Sequence, residues 1–468
     1  MVTIQETELK KGIELAIEKA KKRLEPVLVS DVQKIDYIEP LSFFMAGKEK
    51  FFGERFFWKD PSSKTFLIGL GICNQIESEQ AIERFSQVES EWKRFIREAI
   101  ITRDNVVTAT GPIMFGGFSF DPLKQKTGLW YKYSDSLFHV PKYLLSIVNG
   151  QPYLTTNLIC TQHDDPFLVE KIIEERQSIL TSTRKAVPLK YSHIVDEKEV
   201  VAPELWKETV GKLVNDLKSG ELKKAVLARE LRLFFQDPVS IEGVLQNLLN
   251  EQGNSFTFAF ESHGDCFIGA SPERLVKKEG NRLFSTCLAG SMARGKTEKE
   301  DKALEDLLLH DEKNLIEHHY VVEMIKEAME QVCQEVHLPN QPSIMKVKDI
   351  QHLYTPVEGI GDHDSSLLQL VGLLHPTPAL GGLPQKAAVE KIREIEDLDR
   401  GFYAAPIGWL DYEGNGEFAV AIRSALVQGN EASLFAGCGI VGDSDAESEY
   451  METKIKFRPM LSALGGRK

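Results

Sequence analysis

Ile407 to Gly442 reads IGWLDYEGNGEFAVAIRSALVQGNEASLFAGCGIVG. Short runs of β-branched, aromatic and small apolar residues are separated by Gly- and Asn-rich punctuation at Gly414–Gly416 and Gln428–Asn430. That pattern predicts a three-strand antiparallel meander. Upstream, CFIGASPERLVKKEGNRLFSTCLAGS, from Cys266 to Ser291, reads as two further β segments joined by a Glu-Gly-Asn turn, a hairpin of the same kind. PELWKETVGKLVNDLKSG opens with Pro203 in its first turn and stops at Gly220, as a helix does, and KKAVLARELRLFF then reads as a strand. Adjacent antiparallel strands with helices between them predict an α+β chain.

Towards the N-terminus, apolar positions recur at helical spacing from Glu6 to Leu24, followed by β-like runs such as FLIGLGIC and NVVTAT. STRKAVPLKYSHIVDEKEV, from Ser182 to Val200, is polar, Pro-containing and aperiodic. It places a seam near 190, with a lobe over 1–190 and a second region over 191–468. A chain of 468 residues fits two lobes sharing one large fold or two domains. No internal repeat or low-complexity tract appears.

The formal net charge of −14 argues against nucleic acid or an anionic membrane surface as the main partner, because both need a basic face. A small-molecule substrate is expected. The six cysteines are scattered, with neither the pairing of a disulfide framework nor the spacing of a zinc site. No run approaches a membrane span, and a cytoplasmic location is expected.

Several residues could carry chemistry. A final helix over roughly Asp445 to Ala463 puts Glu449, Glu452 and Lys456 on one face. A solvated Glu–Lys pair is the plain alternative to a cation site. Asp311 caps another helix, in which Glu317 leads a stripe of Val321, Met324 and Ala328 and can point inward, where a carboxylate needs a partner. His318 and His319 face different ways, so a surface or capping role is expected for at least one. Alternation gives Lys224 the same face as Val226 and Ala228, as either a strand-end lysine reaching solvent or a desolvated base. Glu273 follows Ser271-Pro272, at a plain turn or with its carboxyl group pushed into a cavity. Arg423 shares a strand face with Ala419, Ala421 and Ala425, leaving room for a bound carboxylate or a buried ion pair. Gly437, Gly439 and Gly442 mark a close backbone approach or a tight strand end. Cys73 lacks the glycine expected two residues later in an amidotransferase nucleophile loop, Gln75 standing there, and is expected to be a core thiol.

Taken together, KAVLAR, IGASPERL, LAGSMARG, EKNLIEH, LLHPTPALGG, RGFYAAPIGW, AIRSALV, AGCGIVGDSD and SEYMETKIK resemble, in order and approximate spacing, the chorismate-utilising family of isochorismate, salicylate, anthranilate and aminodeoxychorismate synthases. The resemblance covers about residues 200 to 465 and implies a large sandwich of two facing antiparallel sheets with helices outside. Residues 1–190 correspond to the family's variable N-terminal part. Water-adding members have lysine at the position of Lys224. Ala289 stands where aminodeoxychorismate synthases carry a nucleophilic lysine, so water is the implied nucleophile.

The implied activity is an isochorismate synthase, of the type that serves menaquinone synthesis, with Lys224 as base and Glu273 as acid. Burial moves lysines and glutamates towards the protonation states such chemistry needs. Glu317, Glu449 and Glu452 would hold Mg²⁺ for the ring carboxylate of chorismate. Arg423, Lys456 and the amides of Gly290 and Gly437 would bind its enolpyruvyl carboxylate, and His375 would position the ring. A salicylate synthase, which goes on to eliminate pyruvate, and a non-catalytic chorismate-binding regulator are the alternatives. No glutaminase subunit is expected, and the family favours a monomer.

Overall fold

The computed structural model describes residues 4–103, 105–165, 167–185, 188–346, 350–362 and 364–466. Residues 186 and 187 of the expected seam segment lie outside the described residues. Hydrogen-bonded strands form two antiparallel sheets that share one long strand, Ser136–Val148. Its first half pairs with Ile113–Phe118 and its second half with Gln151–Cys160. From the shared strand the first sheet runs through Thr65–Ser78, Arg55–Lys59, Phe256–Ser262, Asp265–Ser271, Ser424–Gln428 and Glu431–Ile440 to Lys224–Phe235. The second runs through Ile113–Phe118, Pro406–Asp411, Gly416–Val420, Arg274–Glu279 and Arg282–Ala293 to Ile350–Gly361. Val27–Lys34 and Ile100–Thr102, at the far edge of the first sheet, make a parallel pair.

The sheets face each other across an aromatic core. Phe115 of the second stacks on Phe56 of the first at 4.4 Å between ring centroids and meets Phe260 edge-on. Helices cover the sheets. Pro203–Ser219 buries Trp206, Val210 and Leu213, and Ala446–Ala463 buries Tyr450, Phe457 and Met460. Strands from before residue 190 pair with strands from after it in both sheets, Arg55–Lys59 with Phe256–Ser262 and Ile113–Phe118 with Pro406–Asp411. Buried Arg55 reaches Glu242 at 3.0 Å and Glu261 at 2.5 Å across the same divide.

The expected three-strand meander is four strands and is not a meander. Gly416–Val420 belongs to the second sheet and Ser424–Gln428 to the first, so the chain changes sheet between Val420 and Ser424. The upstream hairpin likewise divides: Asp265–Ser271 lies in the first sheet, and Arg274–Glu279 pairs with Arg282–Ala293 in the second. NVVTAT is not a strand. The backbone N–H of Ala109 is taken by buried Asp411, which holds this segment as a loop. The aperiodic stretch near 190 contains a short strand, Ile194–Glu199, paired with the end of Lys224–Phe235.

Candidate active site

The two sheet changes lie side by side, and each carries a predicted site residue. Ser271 and Pro272 end one strand, and the Ser271 hydroxyl accepts from the Glu273 N–H at 3.2 Å, turning the chain. Opposite, Ile422 N–H bonds the carbonyl of Val420 at 2.8 Å and Arg423 has φ +51°. Arg423 is therefore not mid-strand, as alternation suggested, but at a break in the left-handed region that a residue other than glycine rarely adopts. The crossings are tied together, Val420 N–H to Glu273 O at 3.0 Å and Ala270 N–H to Arg423 O at 3.0 Å. Both side chains are thus brought into one cluster, each within electrostatic reach of the other.

Burial raises the Glu273 carboxyl group to about 7, and Arg423, Lys456 and Lys224 restrain the rise. The carboxyl group can therefore hold a proton near neutrality and give it up when asked. Burial also lowers Arg423, against the opposing influence of Tyr403, Glu452 and Glu273.

Lys224 begins the strand Lys224–Phe235 and is buried. Its ammonium group pairs with the Glu317 carboxylate. Gly439, on the neighbouring strand, makes this possible: a Cβ there would lie 2.5 Å from Lys224 Cε and 3.1 Å from Nζ. Glu317 stands in the helix Glu312–Glu330, which Asp311 caps through the Asn314 N–H at 2.8 Å. Of its expected companions Val321 and Ala328 are buried and Met324 is half-buried. His318 is a core residue bonded to Thr355 at 2.7 Å and to the Ala289 carbonyl at 3.0 Å, while His319 is exposed.

The final helix, capped by Asp445 through Ser448 N–H, brings its predicted face to the same cluster. Lys456 pairs with Glu452 at 2.5 Å and donates to the Gly437 carbonyl at 2.9 Å. Glu452 is half open to solvent; the surrounding protein opposes its charge, yet Lys456, Arg423 and Lys224 together hold it below the usual carboxylate range. Glu449 accepts from the Ser444 hydroxyl at 2.7 Å, and burial and the charge of Glu452 hold it above that range.

Among the described residues no three acidic, histidine or cysteine side chains stand close enough together to hold a metal as they are. Glu317, Glu452 and Glu449 face Lys224, Lys456 and Ser444 respectively. Their all-oxygen chemistry nevertheless suits a hard divalent cation, and Glu449, raised by burial and then by the charge of Glu452, is a carboxylate that a cation would relieve.

His375 has a different environment. It donates from Nε2 to the Phe120 carbonyl at 2.9 Å, and burial beside Arg84 and Arg400 lowers it to about 3, so its ring is neutral. Gly290 has φ +79°, and an added Cβ would meet Leu353 at 3.0 Å and Asn314 at 3.2 Å. Two residues were missed. His352 bonds Ser291 at 2.7 Å, and burial together with Arg423 and Lys456 lowers it to about 4. The Tyr403 hydroxyl lies 3.2 Å from where a Cβ on Gly437 would stand, and burial raises its pKa while Arg400 and then Arg423 oppose. A histidine in an alternating strand gives no sequence signal of this kind; a tyrosine within RGFYAAP beside a glycine-rich strand was a weak one. Cys73 is a thiol pushed up to about 12 by burial, not a nucleophile.

The chain is similar to known proteins along nearly its whole length. The sequence profile described as "chorismate binding enzyme" matches residues 15–465. Isochorismate synthase MenF of Bacillus subtilis is 43% identical, with 100% of each chain aligned. The salicylate biosynthesis isochorismate synthase of Pseudomonas aeruginosa is 33% identical over 98% of this chain and 95% of its own. Among solved structures, MenF, the menaquinone-specific isochorismate synthase from Escherichia coli, superposes with a TM-score of 0.78 over 97% of this chain and 100% of its own, a likeness of fold at 24% identity. Matched along nearly its whole length, the chain belongs to the chorismate-binding enzyme family.

Proposed function

We propose that this protein is an isochorismate synthase, converting chorismate to isochorismate for menaquinone synthesis by adding water at ring C2 with loss of the C4 hydroxyl. The full-length likeness to isochorismate synthase MenF of Bacillus subtilis supports the activity. The observation that carries the chemistry is Glu273, a carboxyl group raised to about 7 by burial and within electrostatic reach of Lys224, whose amine pairs with Glu317.

In this reading Lys224 acts as the uncharged amine, which requires Glu317 to give up their ion pair and serve the metal instead, and takes the proton of the attacking water. The ring double bonds shift, and Glu273 gives its proton to the departing C4 hydroxyl, so one water enters and one leaves. Arg423 and Lys456, with the backbone at Gly290 and Gly437, bind the enolpyruvyl carboxylate. Glu317, Glu449 and Glu452 would hold Mg²⁺, which supplies positive charge for the ring carboxylate. His375, neutral and donating to Phe120, suits positioning rather than proton transfer. Ala289 leaves no amine for covalent attack on the ring, and with Lys224 present it favours water over ammonia, so no glutaminase partner is invoked.

The parts before and after residue 190 act as lobes of one unit, a reading supported by the strand pairs that cross between them. No helix among the described residues is long and apolar enough to cross a membrane. The proposed setting is the cytoplasm, with free chorismate as substrate and the chain acting as a monomer. Replacement of Lys224→Ala and Glu273→Gln, each assayed for isochorismate formation, tests the acid–base pair. Each change is expected to lower kcat by about 10²–10⁴-fold. Turnover surviving both changes would overturn the assignment.

A further inference from the structure

The strand that carries Lys224 has an unusual outer edge. Leu383 and Gly382 pair with Lys224 and Ala225 at its start, and Ile194–Glu199 pairs from Leu231 onward. Between these points side chains take the backbone groups that a strand would otherwise satisfy. Glu396 Oε2 accepts from Ala228 N–H at 2.7 Å, Arg400 Nη2 donates to the Val226 carbonyl at 2.7 Å, and Trp206 Nε1 donates to the Ala228 carbonyl at 3.3 Å. Glu396 and Arg400 also grip each other in a two-bond fork, both contacts 2.7 Å, with side chains only 4% and 3% exposed. The third arm of the guanidinium, Nη1, donates to the Leu380 carbonyl at 3.2 Å, and Val226 N–H reaches the Gly381 carbonyl at 2.9 Å. The glycine loop after His375 is therefore bound to the Lys224 strand by backbone bonds, with Arg400 tying its Leu380 to the same edge.

A buried ion pair is a poor way to gain stability, since an apolar pair of the same volume does as well or better. What the fork provides instead is direction. A planar guanidinium and a carboxylate locked together fix two backbone atoms at set positions. Those atoms lie two and four residues beyond Lys224, whose stem already has so little room that a methyl group at Gly439 would collide with it.

We propose that Glu396 and Arg400 are positioning residues for the reaction: they hold the Lys224 strand and the Thr377–Leu383 loop in the register that aims the amine at the ring. This rests on the reading of Lys224 as the base. Neither residue needs to touch substrate for the effect to appear.

The test uses the full-length protein with chorismate and Mg²⁺. Glu396→Gln with Arg400→Met removes both charges at similar volume, so neither is left buried and unpaired. Arg400→Lys keeps the charge and loses the fork. Both variants are expected to fold with a thermal midpoint lowered by only a few degrees, because the Val226 and Leu380 carbonyls lose donors, and with a KM within about twofold, while kcat falls about 10- to 100-fold, the scale of a sub-ångström to 1 Å misplacement. A double variant that folds and turns over at the parent rate would overturn the proposal. So would one in which kcat and KM worsen together as the thermal midpoint drops further than that, because that marks a merely structural pair. Lys224→Ala, assayed alongside, separates the two ideas. Full turnover in Lys224→Ala sinks the base assignment itself, whereas its loss together with full turnover in the double variant sinks only the positioning role.

Discussion

Gly439→Ala is the sharpest perturbation the site offers, because it touches Lys224 without altering any charged group. The new methyl carbon would stand 2.5 Å from Lys224 Cε and 3.1 Å from Nζ. Carbon atoms rest at about 3.5–4.0 Å, so Cε must retreat by about 1 Å. Nothing else in the cluster need move, since the displaced atoms end a flexible side chain and Gly439 lies in a regular strand, Glu431–Ile440. Alanine is compatible with that backbone, so the folding free energy should change by less than about 1 kcal/mol. Misplacing a reacting group by 1 Å costs about 10²-fold in rate, or about 2.7 kcal/mol of transition-state stabilisation. The assay is steady-state isochorismate formation across a chorismate series, with a thermal melt of the same preparation. The expected result is a kcat reduced about 100-fold in a protein that melts with the parent. Parent-like kcat in folded Gly439→Ala would refute the argument that the amine's position matters.

The acid should control the pH dependence: with Glu273 raised to about 7, kcat/KM falls as pH climbs through that value and the proton is lost. The same raised carboxyl group contributes stability that is full below its unfolded value of about 4.3 and is lost as pH rises towards about 7. Glu273→Gln should flatten that part of a melting-temperature profile between pH 4 and 8, and an unchanged slope would count against burial as the cause. Arg423→Met removes the largest charge restraining Glu273, so the activity limb should move to higher pH while KM for chorismate rises; a limb that stays put contradicts the pairing. Chelation with EDTA should abolish turnover and Mg²⁺ restore it, with Glu449→Gln and Glu452→Gln each raising the Mg²⁺ needed for half-maximal rate. Full activity in EDTA would remove the metal from the account.

The helical side of the site was legible because helical periodicity and caps are local. Asp311 and Asp445 cap the expected helices, and Glu317, Glu449, Glu452 and Lys456 point where a 3.6-residue repeat sends them. The sheet side was not. Alternation looks the same in either sheet, so nothing in the residues from Phe418 to Val427 announces that Val420 and Ser424 belong to different ones. Arginine at φ +51° is disfavoured locally and is imposed by the neighbouring crossing at Glu273. NVVTAT carries strand propensity that a long-range partner, Asp411, overrides. Lys224 showed its apolar face in the sequence, but its partner Glu317 lies 93 residues away and no spacing rule connects them. Glu396 and Arg400, four residues apart, carry no local signal of the strand edge they close.

Incubating purified protein with chorismate and Mg²⁺ in H₂¹⁸O, and following products by chromatography and mass spectrometry, tests water addition most directly. Isochorismate carrying one ¹⁸O, on the C2 hydroxyl, with no salicylate or pyruvate, is the predicted result. Salicylate and pyruvate appearing without a second enzyme, or isochorismate without the label, would contradict it.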